Sequence, residues 1–151
     1  MNKNDLSLLG KNFDGQTVLI TGHTGFKGSW LTAWLKQLGA KVVGIALDPP
    51  TEPSHFGAAQ MADEMTDLRI DVCNQVALEE AVISTQPDFV FHLAAQPLVR
   101  RSYDNPVETW QTNVLGTLHV LEALRKLDKH CAAVIITSDK CYDNVEWVWG
   151  Y

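Results

Sequence analysis

Thr17-Val-Leu-Ile-Thr21 runs straight into Gly22-His-Thr-Gly25-Phe-Lys-Gly28, and this junction constrains the fold more than any other part of the chain. Five consecutive apolar or β-branched residues describe a strand covered on both faces, the pattern of a parallel sheet. Glycines three residues apart then permit a sharp turn and a close approach of the backbone to another group. Trp30, Leu31, Trp34, Leu35 and Leu38 follow at helical spacing and predict a helix over 29–38 with these side chains in the core, stopped by Gly39. Strand, glycine turn and helix in that order bring free backbone N–H groups to the start of a helix, where phosphate binds. The alternative is a tight turn with no ligand.

The remainder alternates in the same way. Lys41–Ala46 reads as a second strand, and Pro49, Pro50 and Pro53 make 47–62 irregular. A third strand is predicted over 65–70. Val76, Leu78, Ala81 and Val82 mark the inner face of a helix over 74–85. A fourth strand over 88–93 precedes a long helix, capped by Asp104 or Asn105 and running to about Leu127. A fifth strand covers 132–137. Alternating strands and helices imply an α/β fold, a Rossmann-like doubly wound parallel sheet reaching about its fifth strand. Residues 1–14 read as a leader. Residues 15–151 read as a dinucleotide-binding domain.

In such sheets ligands bind beyond the carboxyl ends of the strands. Those ends fall at Gly22, Asp48, Asp71, Ala94 and Ser138, where the polar and glycine signals also gather. Asp48 lies 20 residues after Gly28, the place of an acidic group on the adenosine ribose, which favours NAD over NADP. A solvated Asp at the Pro49-Pro50 turn is the equal alternative. Asp71 is either a ligand contact or the cap of the next helix. Leu93-Ala94-Ala95-Gln96 is small enough for close approach to a cofactor, or is only a packing turn. His92 reads as a buried strand residue. Asn113 costs helix propensity, so it either supports a site or is exposed. Arg100-Arg101 is a phosphate contact or plain surface.

Composition removes several function classes. Twelve basic against 18 acidic side chains give a net charge of −6, a poor footing for nucleic-acid binding. Cys73, Cys131 and Cys141 form no pair at metal or disulfide spacing, and no metal is expected. No signal-like or membrane-spanning run is apparent, so a soluble, cytoplasmic protein is expected.

Gly-x-x-Gly-x-x-Gly resembles the turn of the extended short-chain dehydrogenase/reductase superfamily. Together with His92-Leu-Ala-Ala-Gln96, Thr137-Ser138-Asp139-Lys140-Cys-Tyr-Asp-Asn144 and Glu146-Trp-Val-Trp-Gly-Tyr151, it resembles the CDP-glucose 4,6-dehydratases of the NAD-dependent epimerase/dehydratase family. The likeness runs from about Phe13 to Tyr151, and it implies that the dinucleotide-binding domain of residues 15–151 is incomplete and lacks a substrate domain.

It implies NAD as cofactor, held by Gly22, Thr24, Gly25, Phe26 and Gly28, and by Asp48 on the ribose. Asp71 would meet the adenine amino group with Val72 beside the ring. Leu93, Ala94, Ala95, Gln96, Asn113 and Thr137 would complete the cofactor site. It also implies a nucleotide-sugar substrate, a homo-oligomer, and a place in making deoxysugars for surface polysaccharide such as lipopolysaccharide O-antigen.

The implied reaction oxidises sugar C4, eliminates water across C5 and C6, and returns the hydride to C6. Ser138 would bind the reacting hydroxyl, Asp139 would protonate the departing one, and Lys140 stands where sister dehydratases carry a glutamate base. The superfamily's Tyr-x-x-x-Lys pair is not present, since Glu146 follows Tyr142 at that spacing. The 151-residue chain alone is therefore expected to be inactive. Other nucleotide-sugar epimerases or dehydratases, a non-catalytic NAD-binding module and a structural remnant are the rival readings. Trp30 and Trp34 are expected in the core, and Trp147 and Trp149 to be poorly covered.

Overall fold

A computed structural model describes residues 10–150, with the Lys140 side chain outside the description. Five parallel strands form one sheet in the order β3-β2-β1-β4-β5: β1 Thr17–Thr21, β2 Lys41–Ala46, β3 Thr66–Arg69, β4 Phe89–His92 and β5 Ala132–Ile135. The chain moves outward from β1 in one direction, returns, and moves outward in the other. The reversal lies beside β1, which is where a doubly wound sheet opens its ligand crevice.

β1 pairs with β2 from Thr17 to Thr21 and with β4 from Val18 to Thr21. Successive side chains leave a strand on opposite faces. Val18 and Ile20 therefore join Leu35 and Val42 on one side, with Phe13, Leu31, Phe89 and Phe91 packed around them. Leu19 points the other way, into Ile45, Leu78, Val82, Val90, Val120 and Ala123. Phe13 lies 4.9 Å from Phe89 ring to ring, so the segment just before β1 packs on the sheet.

Helix α1 spans Phe26–Gln37, beginning three residues before the sequence suggests. Its buried residues are Gly28, Ser29, Thr32 and Leu35. Trp30 and Trp34 are 55% and 40% exposed, which corrects their placement in the core. The reason is angular. Residues two apart on a helix differ by about 200° in direction. The small residues 28 and 32 must face inward for α1 to reach the turn, and this swings both indoles out. Trp30 instead stacks on His55 at 4.4 Å, over the short helix α2 (His55–Ala58). Gly39 stops α1 as the sequence indicates, at φ +85°, with Ala40 N–H donating back to the Leu35 carbonyl.

Helix α3 covers Gln75–Thr85, with the Asn74 side chain accepting from Ala77 N–H. Val76 is exposed, unlike its predicted neighbours Leu78, Ala81 and Val82. A short helix α4, Val99–Asp104, precedes the predicted long helix, which is itself a series: α5 Pro106–Trp110, a π-helical turn Gln111–Leu115 and α6 Gly116–Arg125. Asn105 precedes α5 without a side-chain capping bond, and Pro106 starts the helix.

Candidate functional site

The glycine turn is built by contact between backbones. Gly22 has φ +76°, and a Cβ there would sit 2.8 Å from the Ala94 nitrogen. A Cβ on Gly28 would overlap the Gly22 carbonyl. Gly25 precedes α1 in extended conformation, and its N–H donates to the Gly22 carbonyl. No side chain caps α1, so its first N–H groups face the turn without a covalently tethered partner. Those close contacts are with the protein's own backbone, so glycine at 22 and 28 lets the turn pack tightly; the uncapped N–H groups at the start of α1 are what suits a pyrophosphate, which takes its hydrogen bonds from backbone. Thr24 is buried and donates to the Leu47 carbonyl, tying the turn to the end of β2. Phe26 is exposed.

Asp48 follows β2 with its side chain 93% exposed, and its nearest cation is Arg69 at 3.6 Å. Asp71 is exposed, and its carboxylate accepts from Cys73 N–H. The capping role belongs to Asn74, not to Asp71. Val72 is buried between the sheet and α6, so its backbone is the part that borders the loop. Its carbonyl is bonded to His119 Nδ1 at 2.9 Å.

After β4 the side chains divide. Leu93 packs on one face of the sheet and Ala94 on the other, while Ala95 is exposed. Asn113 lies in the π-helical turn. Its amide accepts from Gln96 N–H at 2.7 Å and donates to the Gln96 carbonyl at 3.1 Å. A π turn adds a residue to the helical repeat and re-aims side chains, and such turns recur at functional sites. The amide is thus a brace for the loop, not a solvated helix residue. Arg101 pairs with Glu108, while Arg100 is exposed.

Thr137, Ser138 and Asp139 leave the carboxyl end of β5 and are exposed. Ser138 Oγ lies 3.5 Å from Asp139 Oδ1, and a short 3-10 turn covers Asp139–Cys141. β5 pairs with β4, with Ile135 opposite His92, so this segment emerges beside the loop that Asn113 braces. Among the described residues no group of three or more His, Cys, Asp or Glu is disposed to hold a metal. None of their helices is long and apolar enough to cross a membrane.

Two buried histidines escape sequence reasoning as site elements. His23 is fully buried in the glycine turn, with Nε2 2.9 Å from Asp67 and its edge against Phe56. Burial lowers its pKa, against a smaller opposing pull from Asp67. Its Nδ1 makes no hydrogen bond of ordinary geometry among the described residues. His92 is lowered by burial alone. No spacing rule links Thr21 to His92 or His23 to Asp67; the register of β1 and β4 brings the first pair together, and the second meets across β2 over Gly44, where a Cβ would collide with the His23 ring.

Both rings are held neutral below the ordinary imidazole range. The unfolded chain therefore takes up protons first as pH falls. The contribution to stability is complete above about pH 6.5 and is lost on descent towards the lowered folded values. Urea midpoints should fall steadily from pH 7 to pH 5. A flat profile would mean that neither ring is neutral in the fold.

The parallel sheet, the reversal at β1 and the glycine cradle define a Rossmann-like nucleotide-binding fold. The family model described as GDP-mannose 4,6 dehydratase matches residues 19–148, and the chain belongs to that family. It is 52% identical over 145 residues to CDP-glucose 4,6-dehydratase of Salmonella typhimurium, covering 95% of this chain and 40% of that protein. A UDP-glucose 4-epimerase from Thermus thermophilus, solved in complex with NAD, superposes with TM-score 0.62 at 31% identity, covering 74% of this chain and 34% of that one. A UDP-glucose 4-epimerase from Stenotrophomonas maltophila shares the fold, with TM-score 0.77 at 21% identity over 88% of this chain and 40% of that one. The chain thus spans about two-fifths of the length of the curated relative it matches at 52% identity.

Proposed function

We propose that this chain forms the NAD-binding part of a sugar-nucleotide 4,6-dehydratase acting on CDP-glucose. The observation that carries the reading is 52% identity with a CDP-glucose 4,6-dehydratase along 95% of the chain. The glycine turn supports a dinucleotide reading because Gly22 and Gly28 let β1, the loop after β4 and α1 close on one another, which leaves the uncapped N–H groups of α1 at the turn.

Bound NAD would accept a hydride from sugar C4 and return it at C6. The chain's own residues supply binding, orientation and proton handling. Gly22, Thr24, Gly25, Phe26 and Gly28 surround the pyrophosphate. Asp48 takes the adenosine ribose hydroxyls. Asp71 and the Val72 backbone border the adenine. Asn113 holds the loop 93–96 in place for the nicotinamide ribose, with Thr137 across from it. Ser138 hydrogen-bonds the C4 hydroxyl. A C4 ketone acidifies the C5 proton, and Asp139 gives a proton to the departing C6 hydroxyl, releasing water. Lys140 serves the C5 position. A lysine has a reference pKa of about 10.4, so it acts there as a charge on the enolate or as a base only when depressed. The substrate is a small nucleotide sugar and not a nucleic acid. The working protein is a cytoplasmic homo-oligomer.

Two measurements test this. The purified chain should bind NAD+ by calorimetry, and failure to bind would remove the cofactor reading. The protein carrying this sequence, given CDP-glucose deuterated at C4, should yield a 4-keto-6-deoxy sugar with the label in its C6 methyl. Deuterium lost to solvent, or a C4-inverted sugar in place of a methyl group, would rule out the dehydratase. The inverted product would point to an epimerase.

A further inference from the structure

Thr21, His92 and Thr117 are hydrogen-bonded side chain to side chain, and Thr117 reaches the main-chain carbonyl of Asn113, whose side-chain amide holds Gln96. Ala94 N–H donates to Thr21 Oγ1 at 3.1 Å, and Leu93 N–H approaches the same oxygen at 3.2 Å. Thr21 Oγ1 lies 2.6 Å from His92 Nδ1. His92 Nε2 lies 3.0 Å from Thr117 Oγ1. Thr117 Oγ1 lies 2.8 Å from the Asn113 carbonyl, and the Asn113 amide holds the Gln96 backbone. Thr21 and His92 are 0% and 2% exposed, so water does not substitute for a missing partner there.

Counting hydrogens settles the direction. A carbonyl only accepts, so Thr117 must give its single hydroxyl hydrogen to Asn113. Thr117 therefore has none left for His92, and His92 Nε2 must be the donor. With one proton on a neutral ring, Nδ1 accepts. Thr21 supplies that hydrogen while its lone pairs take the loop N–H groups. Among the described residues, burial is what lowers the His92 pKa and favours the neutral ring. Every bond thus points one way, and only one tautomer satisfies all of them.

We infer that His92 is a positioning residue for the dinucleotide site: its neutral Nε2–H form links the end of β1 to the π-helical turn, and so holds the loop 93–96 from both ends. Thr21 secures the loop at Ala94, against the glycine turn, where a Cβ on Gly22 would meet the Ala94 nitrogen at 2.8 Å. Asn113 secures it at Gln96. His92 couples the two anchors without touching the ligand. The functional meaning rests on the dinucleotide-binding reading, while the hydrogen-bond chain itself does not.

Three readouts test it, two of them without ligand. Nitrogen-15 imidazole shifts at pH 7.5 should report a neutral Nε2–H ring for His92; an Nδ1–H ring or a charged ring would overturn the inference. Thr117→Val removes the acceptor for Nε2–H together with the hydroxyl's bond to the Asn113 main-chain carbonyl, and should convert that ring to a mixture of tautomers. It should also speed amide exchange at Gln96 and Ala94 tenfold or more; unchanged exchange would overturn the inference. NAD+ affinity should fall at least tenfold in Thr117→Val and in His92→Phe. If His92→Phe does not fold, Thr117→Val carries the test alone. Wild-type NAD+ affinity in a variant with altered exchange would refute the positioning role. Failure of the wild-type protein to bind NAD+ would instead refute the dinucleotide reading, with the tautomer and exchange results still deciding the hydrogen-bond chain.

Discussion

Alanine in place of Gly28 should abolish NAD+ binding and destabilise the fold by about 1–3 kcal/mol. The added methyl would overlap the Gly22 carbonyl, and the next nearest atoms are also backbone, at Gly22 and His23. Backbone cannot rotate away as a side chain can. Either α1 lifts off the turn or the turn opens, and both destroy the cradle. Gly25→Ala is the internal control. Its Cβ would lie 3.4 Å from the Gly22 carbonyl at an ordinary negative φ, so the fold should tolerate it. Urea unfolding and calorimetry on the two variants separate the cases. Equal stability of Gly28→Ala and Gly25→Ala would show that helix approach is not what requires glycine at 28.

Asn113→Leu should cost about 1–3 kcal/mol of stability, the penalty for a polar group left without its partner. Two groups lose a partner, the Gln96 N–H and carbonyl, but the loop is only half-buried and water relieves part of the loss. NAD+ affinity should also fall, about tenfold to a hundredfold or ~1.4–2.7 kcal/mol, because the loop borders the proposed nicotinamide ribose site. Asn113→Asp keeps the acceptor for Gln96 N–H and sets an oxygen against the Gln96 carbonyl, so it should be no better than leucine. An aspartate variant that binds NAD+ like the wild type would show that the amide donor is dispensable.

These positions differ in how legible they are. Local chemistry announces the glycine turn, the strand after it and the stop at Gly39, because each depends on neighbours within a few residues. The covered faces of β1 are equally readable, since an unbroken apolar run has nowhere else to go. The inward face of α1 is not. Hydrophobicity points to Trp30 and Trp34, yet the turn demands close approach, and close approach selects Gly28, Ser29 and Thr32. The π-helical turn is invisible as well, because no residue type marks it. Its purpose is tertiary: it aims Asn113 at a loop 17 residues earlier in the chain. The bond between Thr21 and His92 spans 71 residues and exists only because β1 and β4 are neighbours in register.

The position of β1 has a consequence for how the protein is made. The earliest of the described strands is the middle of their sheet, and its partner β4 ends at His92, 71 residues behind Thr21. At roughly 5–20 residues per second, a ribosome takes several seconds to deliver it. During that interval β1 and β2 can pair, but one edge of Val18, Leu19 and Ile20 stays open and the core behind it has no floor. Long-range pairings of this kind also fold slowly once complete, because the loop must close before any contact repays it. The nascent chain is therefore most vulnerable to wrong partners between its second and fourth strands, a window set by strand order and not by any single side chain.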